Sequence, residues 1–245
     1  MTGAGGPILL GKGRLRARLA QDAHDLDAAL ALRGLCFRGD AGRPDGDAHD
    51  SLCDHVLIEC NVSNALVGCF RLRRHDGASI AESYCAQFYD LSALRHFGAP
   101  MLELGRFCIH PDRQDGDILR LAWGALTREV DRQGIGLLFG SSSFAGCDPA
   151  PHLAAFAQLR DRHPPPLRWA PGVGAPEILR FAGLPQVQAP PRALPPLLRT
   201  YLAMGGWVSD HAVIDRDLGT VHVFTGLEID RVPEGRARLL RAVAG

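Results

Sequence analysis

The sequence predicts an α/β protein, a single domain over residues 1–245 with a mixed β-sheet flanked by helices. Three observations carry that class. Hydrophobic residues are 46% of the 245 and charged residues 22%, enough apolar material for a sizeable core and no composition of disorder. The stretch from Met101 to Ser143 reads strand, loop, helix, strand, the order of a parallel crossover unit. No repeat or linker falls where a core could be cut in half.

The elements follow in order. Arg14 to Leu19 alternates as a strand, with Leu15, Ala17 and Leu19 on one face. Asp22 or Asp25 can cap a helix to about Phe37, in which Leu26, Leu30, Arg33 and Phe37 recur at helical spacing. Gly39 to Ser51 holds three Gly, four Asp and one Pro, a polar loop long enough to suspect function. His55 to Cys60 and Leu66 to Arg73 flank the turn-rich Asn61 to Asn64 and read as a hairpin. A short helix is expected over Asp90 to Phe97.

Met101 to His110 is the next strand and Pro111 to Gly116 a loop. A helix capped by Asp117 runs through Leu119, Leu121, Trp123, Leu126 and Val130 to Gln133, where Gly134 ends it. Ile135 to Ser143 is a buried strand, Pro151 to Arg160 a helix, and His163 to Pro176 a Pro-rich linker. Leu194 to Met204 is helical, Thr220 to Ile229 alternates as a strand, and residues 231–245 form a basic amphipathic helix from about Pro233. Its Arg231, Arg236, Arg238 and Arg241 lie opposite Val232, Leu239 and Leu240.

Composition excludes several function classes. Twenty-seven basic and 27 acidic residues cancel, so no global field draws the chain to nucleic acid. No run of about 18 apolar residues exists, and Met1 to Arg18 lacks the apolar core of a signal peptide. The expected location is the cytoplasm. The seven cysteines are odd in number with no CxxC, against a disulfide framework or zinc ribbon. The ten histidines contain no HxxxH pair, so no metal site is expected. Lys12 is the single lysine, a bias that makes arginine abundance alone uninformative.

The ordered set LRGLCF (32–37), CDH (53–55), GCFRL (68–72), ELGRFCIHP (103–111), FGSSSFAGCDP (139–149) and YLAMGGWVSDHAVID (201–215) resembles the GNAT-fold amino-acid N-acyltransferases of ornithine-lipid synthesis, relatives of acyl-homoserine-lactone synthases. The likeness spans roughly residues 15 to 225. It implies a GNAT-like mixed sheet, splayed at its centre to admit a pantetheine arm. It also implies transfer of a fatty, often 3-hydroxylated, acyl group to the α-amino group of an amino acid, giving a lyso-aminolipid. The acceptor would be ornithine or glutamine. The implied donor is the acyl-phosphopantetheine of acyl-carrier protein, with a coenzyme A thioester as the alternative and no permanently bound cofactor. Carrier protein and the inner-membrane surface are the expected partners of the basic C-terminal helix, the latter through peripheral association. An acyl-homoserine-lactone synthase and a catalytically silent GNAT-fold binding module stay open as alternatives.

The resemblance assigns roles residue by residue. Glu103 is the expected general base, because an attacking ammonium must lose a proton before its nitrogen can bond the thioester carbon; an ion pair with Arg106 is the structural alternative. Glu103 and Gly105 should share one strand face and Arg106 the other, unless a bulge intervenes. Tyr201, four residues before Gly205, is positioned as a donor to the departing thiolate. Arg33, Phe37, Asp54 and Arg71 match positions in the lactone synthases and, with Arg106, form the expected acceptor site; equally, the charged ones could pin the N-terminal segment. Backbone groups of Phe107, Cys108 and Ile109 would hold the oxyanion, and Ser143 would contact pantetheine. Arg113 and Gly116 fit the first anchors of the superfamily's R-x-x-G-x-A/G phosphate loop, from which Ile118 departs. Asp112, Asp115 and Asp117 oppose the several phosphates of coenzyme A more than the single phosphodiester of a carrier protein.

Overall fold

A computed structural model describes residues 6–113, 115–185 and 193–245. The expectations for residues 1–5 and for Gln114 in the phosphate-type loop lie outside these. In chain order the elements are β1 (Ile8–Lys12), β2 (Leu15–Leu19), α1 (Ala23–Arg38), β3 (Asp54–Cys60), β4 (Leu66–His75), β5 (Tyr89–Asp90), β6 (Met101–Ile109), α2 (Gly116–Gln133), β7 (Leu137–Ala145) and α3 (Leu153–Arg162), then β8 (Gly172–Val173), β9 (Ile178–Arg180), α4 (Pro196–Ala203), β10 (Trp207–Val208), β11 (His211–Asp215), β12 (Thr220–Glu228) and α5 (Glu234–Ala244). The α/β class and the order strand, loop, helix, strand from Met101 onward are as the sequence predicts.

These elements gather into two compact units, each built from separated segments. The first comprises the segment ending at Arg73, Leu104–Gln133 and Glu234–Gly245; the second comprises Arg74–Glu103 and Gly134–Pro233. In the first, strands run in the order β1-β2-β3-β4-β6. The β3–β4 hairpin pairs Asp54 with Leu72 and Leu57 with Cys69, antiparallel. Helix α1 starts at Asp22, whose carboxylate accepts from Asp25 N–H, and ends at Gly39 in the left-handed region. Its Ala29 and Leu32 pack on Leu57, Cys69 and Cys108. Buried Arg18 on β2 donates to Asp25 and Glu59, tying β2 to α1 and β3.

The stripe predicted for α1 is only half-buried at Leu26, Leu30 and Phe37, because the loop after the helix folds back over it. Asp45 N–H donates to Leu30 O. A Cβ on Gly34 would lie 2.2 Å from Arg43 O, so only glycine lets the returning loop pass this close.

In the second unit the order is β7-β12-β11-β9, with β10 also on β12. The β7–β12 ladder runs from Leu137 opposite Glu228 to Ala145 opposite Thr220. Ile80, Leu94, Met101, Phe139 and Phe224 form one core, and Phe156, Phe181, Leu198 and Val223 another. The helix expected over Asp90 to Phe97 is a 3-10 turn at Ser92–His96. The Pro-rich linker contains β8, which pairs with β5. Strand β11 has no alternation to read, since four of its five residues are buried. Helix α4 begins after Pro195, with Pro196 in its first turn where a missing N–H costs nothing. Arg231 lies in a 3-10 turn ahead of α5 rather than on the helix, and Leu239 on α5 is 62% exposed.

Candidate active site

Glu103 lies near the start of β6 and is 5% exposed. Its carboxylate accepts from the backbone N–H of Tyr84 (3.0 Å) and of Cys85 (2.8 Å), at the head of a 3-10 turn spanning Tyr84–Gln87. His75 Nε2 stands 3.5 Å from its Oε2. Burial by itself would raise the Glu103 pKa, but His75 and the Cys85 donors outweigh it, and the net direction is downward. The group is therefore an anion at neutral pH. Its partners are not those of the expected alternative: Arg106 makes its ion pairs with Asp45 and Asp47.

The Cys85 thiol stands 3.4 Å from Ser141 Oγ. Tyr201 on α4 is fully enclosed, and burial, with Cys85 nearby, holds its phenol well above the usual range. It keeps its proton at any physiological pH, as a donor must. Ser143, exposed near the C-terminal end of β7, sits opposite His222.

In the first unit the expected acceptor residues separate into two groups. Arg33, Arg71 and Arg106 come together, but around three aspartates that sequence reasoning passed over. Arg33 donates to Asp45 (3.1 and 3.2 Å) and Asp50 (2.6 Å). Arg71 donates to Asp47 (2.7 and 2.9 Å) and Asp50 (2.6 Å), Arg106 to Asp45 (2.9 Å) and Asp47 (3.0 Å), and Arg38 to Asp45 (3.1 Å). Arg33 and Asp45 are each 1% exposed. Burial pushes the Asp50 pKa up, but Arg33 and the Asp47 N–H pull it further the other way, to about 2. What these arginines hold is the Gly39–Ser51 loop rather than the N-terminal segment: three of its aspartates are locked onto four arginines. The signal was present in the Asp-rich composition of that loop, but nothing in the chain order pairs it with Arg71 or Arg106. Asp54 is exposed at the start of β3 and lines a cleft of about 290 Å³ with Asp22, His55 and Asp50, the last shared with the network. Phe37 packs against the Ala29, Leu57 and Cys108 cluster.

Arg106 adopts φ +51°, a left-handed conformation costly for any residue with a Cβ and frequent at bulges and functional sites. Strict alternation along β6 therefore breaks at Gly105–Arg106. A side chain on Gly105 would come within 3.2 Å of Arg71 Nε. Beyond the break Phe107 stacks on Phe70 at 5.8 Å, and the Cys108 thiol lies 3.5 Å from that of Cys69. Cys36 would favour the Cys108 thiolate, but Cys69 and burial prevail and raise its pKa; the Cys36 thiol is raised by Cys108 and by burial. Neither is a ready nucleophile. Ile109 accepts a weak thiol hydrogen bond from Cys36.

At the loop before α2, the cap is Asp115 rather than Asp117: its carboxylate accepts from Asp117 N–H (2.9 Å), and Asp117 pairs with Arg120 within the first turn. Arg113 and Gly116 are exposed. Ile118, at the position the superfamily keeps small, is 1% exposed and packs beside Gly68 under the hairpin. Asp22, His24 and Asp25 lie close enough to share a cation, but both oxygens of Asp25 already accept from Arg18. Among the described residues no helix is long and apolar enough to cross a membrane.

Residues 35–124 match the acetyltransferase (GNAT) domain family. The chain is 34% identical to the L-ornithine N(alpha)-acyltransferase of Rhodobacter capsulatus, over 89% of this chain and 91% of that protein. It is 33% identical to the Rhizobium meliloti enzyme of the same name, over 89% and 81%. Among solved structures, FeeM, an N-acyl amino acid synthase from uncultured soil microbes, superposes with a TM-score of 0.53 at 11% identity, over 89% of this chain and 94% of that one, a likeness of fold. With a GNAT domain, a buried anionic glutamate and near-full-length similarity to these enzymes, the chain belongs to the GNAT-fold amino-acid N-acyltransferases, which join an acyl thioester donor to an amino-acid acceptor.

Proposed function

We propose that this enzyme transfers a (3-hydroxy)acyl group from acyl-carrier protein to the α-amino group of ornithine, forming a lyso-aminolipid. The observation that carries the reading is Glu103, a buried carboxylate held ionised, the state in which it can take the ammonium proton. The freed lone pair bonds the thioester carbon, the C–S bond breaks, the enclosed, protonated Tyr201 supplies the thiolate's proton, and the second proton of the attacking nitrogen returns to Tyr201. The oxyanion is held by backbone N–H groups of Phe107 to Ile109, next to the Arg106 break in the strand. Direct attack is favoured because the Cys36 and Cys108 thiols are held protonated.

Ornithine is favoured over glutamine by the cleft at Asp54, where the exposed carboxylate of Asp22 also stands and which suits a cationic side chain. Arg33 is assigned to holding the loop rather than to the acceptor, given its 1% exposure. Arg71 and Arg106 are likewise assigned to holding that loop, and Phe37 to the core beneath α1. Carrier protein is favoured as donor because Ile118 and three aspartates stand where a coenzyme A phosphate loop wants small and neutral residues, and because Arg236 and Arg238 are exposed on α5. Arg113, Gly116 and Ser143 remain the proposed contacts of the phosphopantetheine arm. The same α5, with Leu239 exposed, supports peripheral association of a cytoplasmic enzyme with the inner membrane.

The test is mass spectrometry of products from purified protein given acyl-carrier protein or acyl-coenzyme A, with ornithine or glutamine. N-acylornithine from the carrier donor, with a carrier KM that rises with ionic strength, is the expected result. Comparable turnover with coenzyme A removes the carrier assignment, and absence of any N-acyl product removes the enzymatic one.

A further inference from the structure

β4 ends on His75, whose side chain is completely enclosed. Its Nδ1 lies 3.1 Å from Ser79 O. A carbonyl oxygen only accepts, so Nδ1 carries a hydrogen and donates it there. The other nitrogen, Nε2, faces Glu103 Oε2 at 3.5 Å. When the ring is neutral, a lone pair on Nε2 points at a carboxylate oxygen, and two acceptors face each other in a dry site. One proton placed between them converts that contact into a charge-assisted hydrogen bond. The pair therefore has a single place for a mobile proton, and Ser79 decides which nitrogen offers it.

The surroundings leave little else to titrate there. From β7, Phe139 lays its ring against the imidazole, 5.9 Å between centroids. The Cys85 thiol also reaches the Glu103 carboxylate. The charged neighbours of His75 in sequence, Arg74 and Asp76, are exposed, and Asp76 is occupied by Ser79 and Ala78 N–H. Glu103 also bonds two backbone N–H groups, which stabilise its anion and make an unaided carboxylate a weak base for an ammonium.

We propose that His75 is a positioning residue that makes one proton acceptor of two groups, holding with Glu103 the proton removed from the acceptor's ammonium. The inference rests on Glu103 being the base. In the step, the ammonium N–H bond breaks and its proton goes to Glu103 Oε2, where Nε2 shares it. The nitrogen lone pair forms the C–N bond and gives a tetrahedral oxyanion; as this collapses the C–S bond breaks with its electrons on sulfur, Tyr201 protonates the sulfur, and the second proton of the now cationic nitrogen passes to the tyrosinate and restores it. The dyad then releases its proton to water. The enzyme is active with the shared position empty.

The experiment is the pH profile of kcat/KM, with kcat and KM separated, for the full-length wild type, His75→Gln, His75→Asn and Glu103→Gln. Gln keeps a donor toward Glu103 and Asn keeps a donor toward Ser79 O, and neither titrates. Both are expected to lower kcat about tenfold or more with little change in KM, and to move the acid limb down by about one pH unit or more. An acid limb that stays in place in the folded His75 variants, with Glu103→Gln inactive, overturns the role of His75 and leaves Glu103 as base. Glu103→Gln near wild-type activity at pH 7 overturns both. Should the His75 variants fail to fold, the 15N ring resonances of His75 in wild type and Glu103→Gln decide. A titration midpoint that moves by about one unit or more on loss of the carboxylate supports the shared proton, and an unchanged midpoint overturns it.

Discussion

Two sets of buried charges can be compared in this molecule. Around Arg33 and Asp45, four arginines and three aspartates satisfy one another with full opposite charge. Around Glu103 the anion is held by two neutral backbone donors and one titratable ring. Charge matched by charge is locked, because changing one protonation state leaves an uncompensated ion behind. Charge held by dipoles and an imidazole can gain a proton without such a loss. The first arrangement suits a scaffold and the second suits acid–base chemistry.

Mutations should separate the two. The largest effect is expected at Glu103: the Gln variant should fold normally yet lose about a hundredfold or more in amide formation at neutral pH, the size for a lost general base, with partial recovery at high pH where free amine is present. Equal rates at pH 7 would erase the distinction between the two sets of charges. In the network the loss should instead be of stability. Arg33→Ala takes one buried partner from both Asp45 and Asp50, which keep Arg38 and Arg106, and Arg71, respectively, and should cost about 3 kcal/mol in denaturant unfolding; a cost near zero would mean the cluster holds nothing.

Acid should also discriminate. Asp50 has a folded pKa of about 2 against an ordinary 3.8, and Asp47 is likewise lowered despite its burial, chiefly by Arg71. Groups depressed by folding stabilise the protein above their unfolded pKa, and that contribution is lost as pH falls from about 4 through 2. Thermal denaturation should therefore show a steep drop below pH 4 that Asp50→Asn makes shallower; an unchanged slope would place the acid sensitivity elsewhere. The smallest effect is expected at Cys85. If attack is direct, Cys85→Ser should keep activity within roughly tenfold, well short of the loss at Glu103, whereas abolition with a trapped acyl-protein in the wild type would point to a covalent route.

Much of the secondary structure was legible because its causes are local. The Asp22 cap, the α2 stripe ending at Gly134 with φ +60° and the β3–β4 hairpin depend on neighbours within a few residues. Where packing covers both faces of a segment, periodicity disappears. Strand β11 is buried on both sides, and α1 is covered by its own returning loop, so the former went unread and the latter showed the wrong stripe.

By itself the sequence determined the α/β class, the Glu103 and Tyr201 candidates and, through ordered motifs, the family. The tertiary structure decided the partners. Register and loop closure bring His75 to Glu103 across 28 positions and Asp45 to Arg106 across 61, and the break at Arg106 redirects its side chain from the expected alternation. The physical reason is the range of the forces. A cap or a hydrophobic period is set within one turn of chain. Which carboxylate meets which base depends on how distant strands align, and on the dry surroundings that make each unpaired charge costly enough to choose its partner.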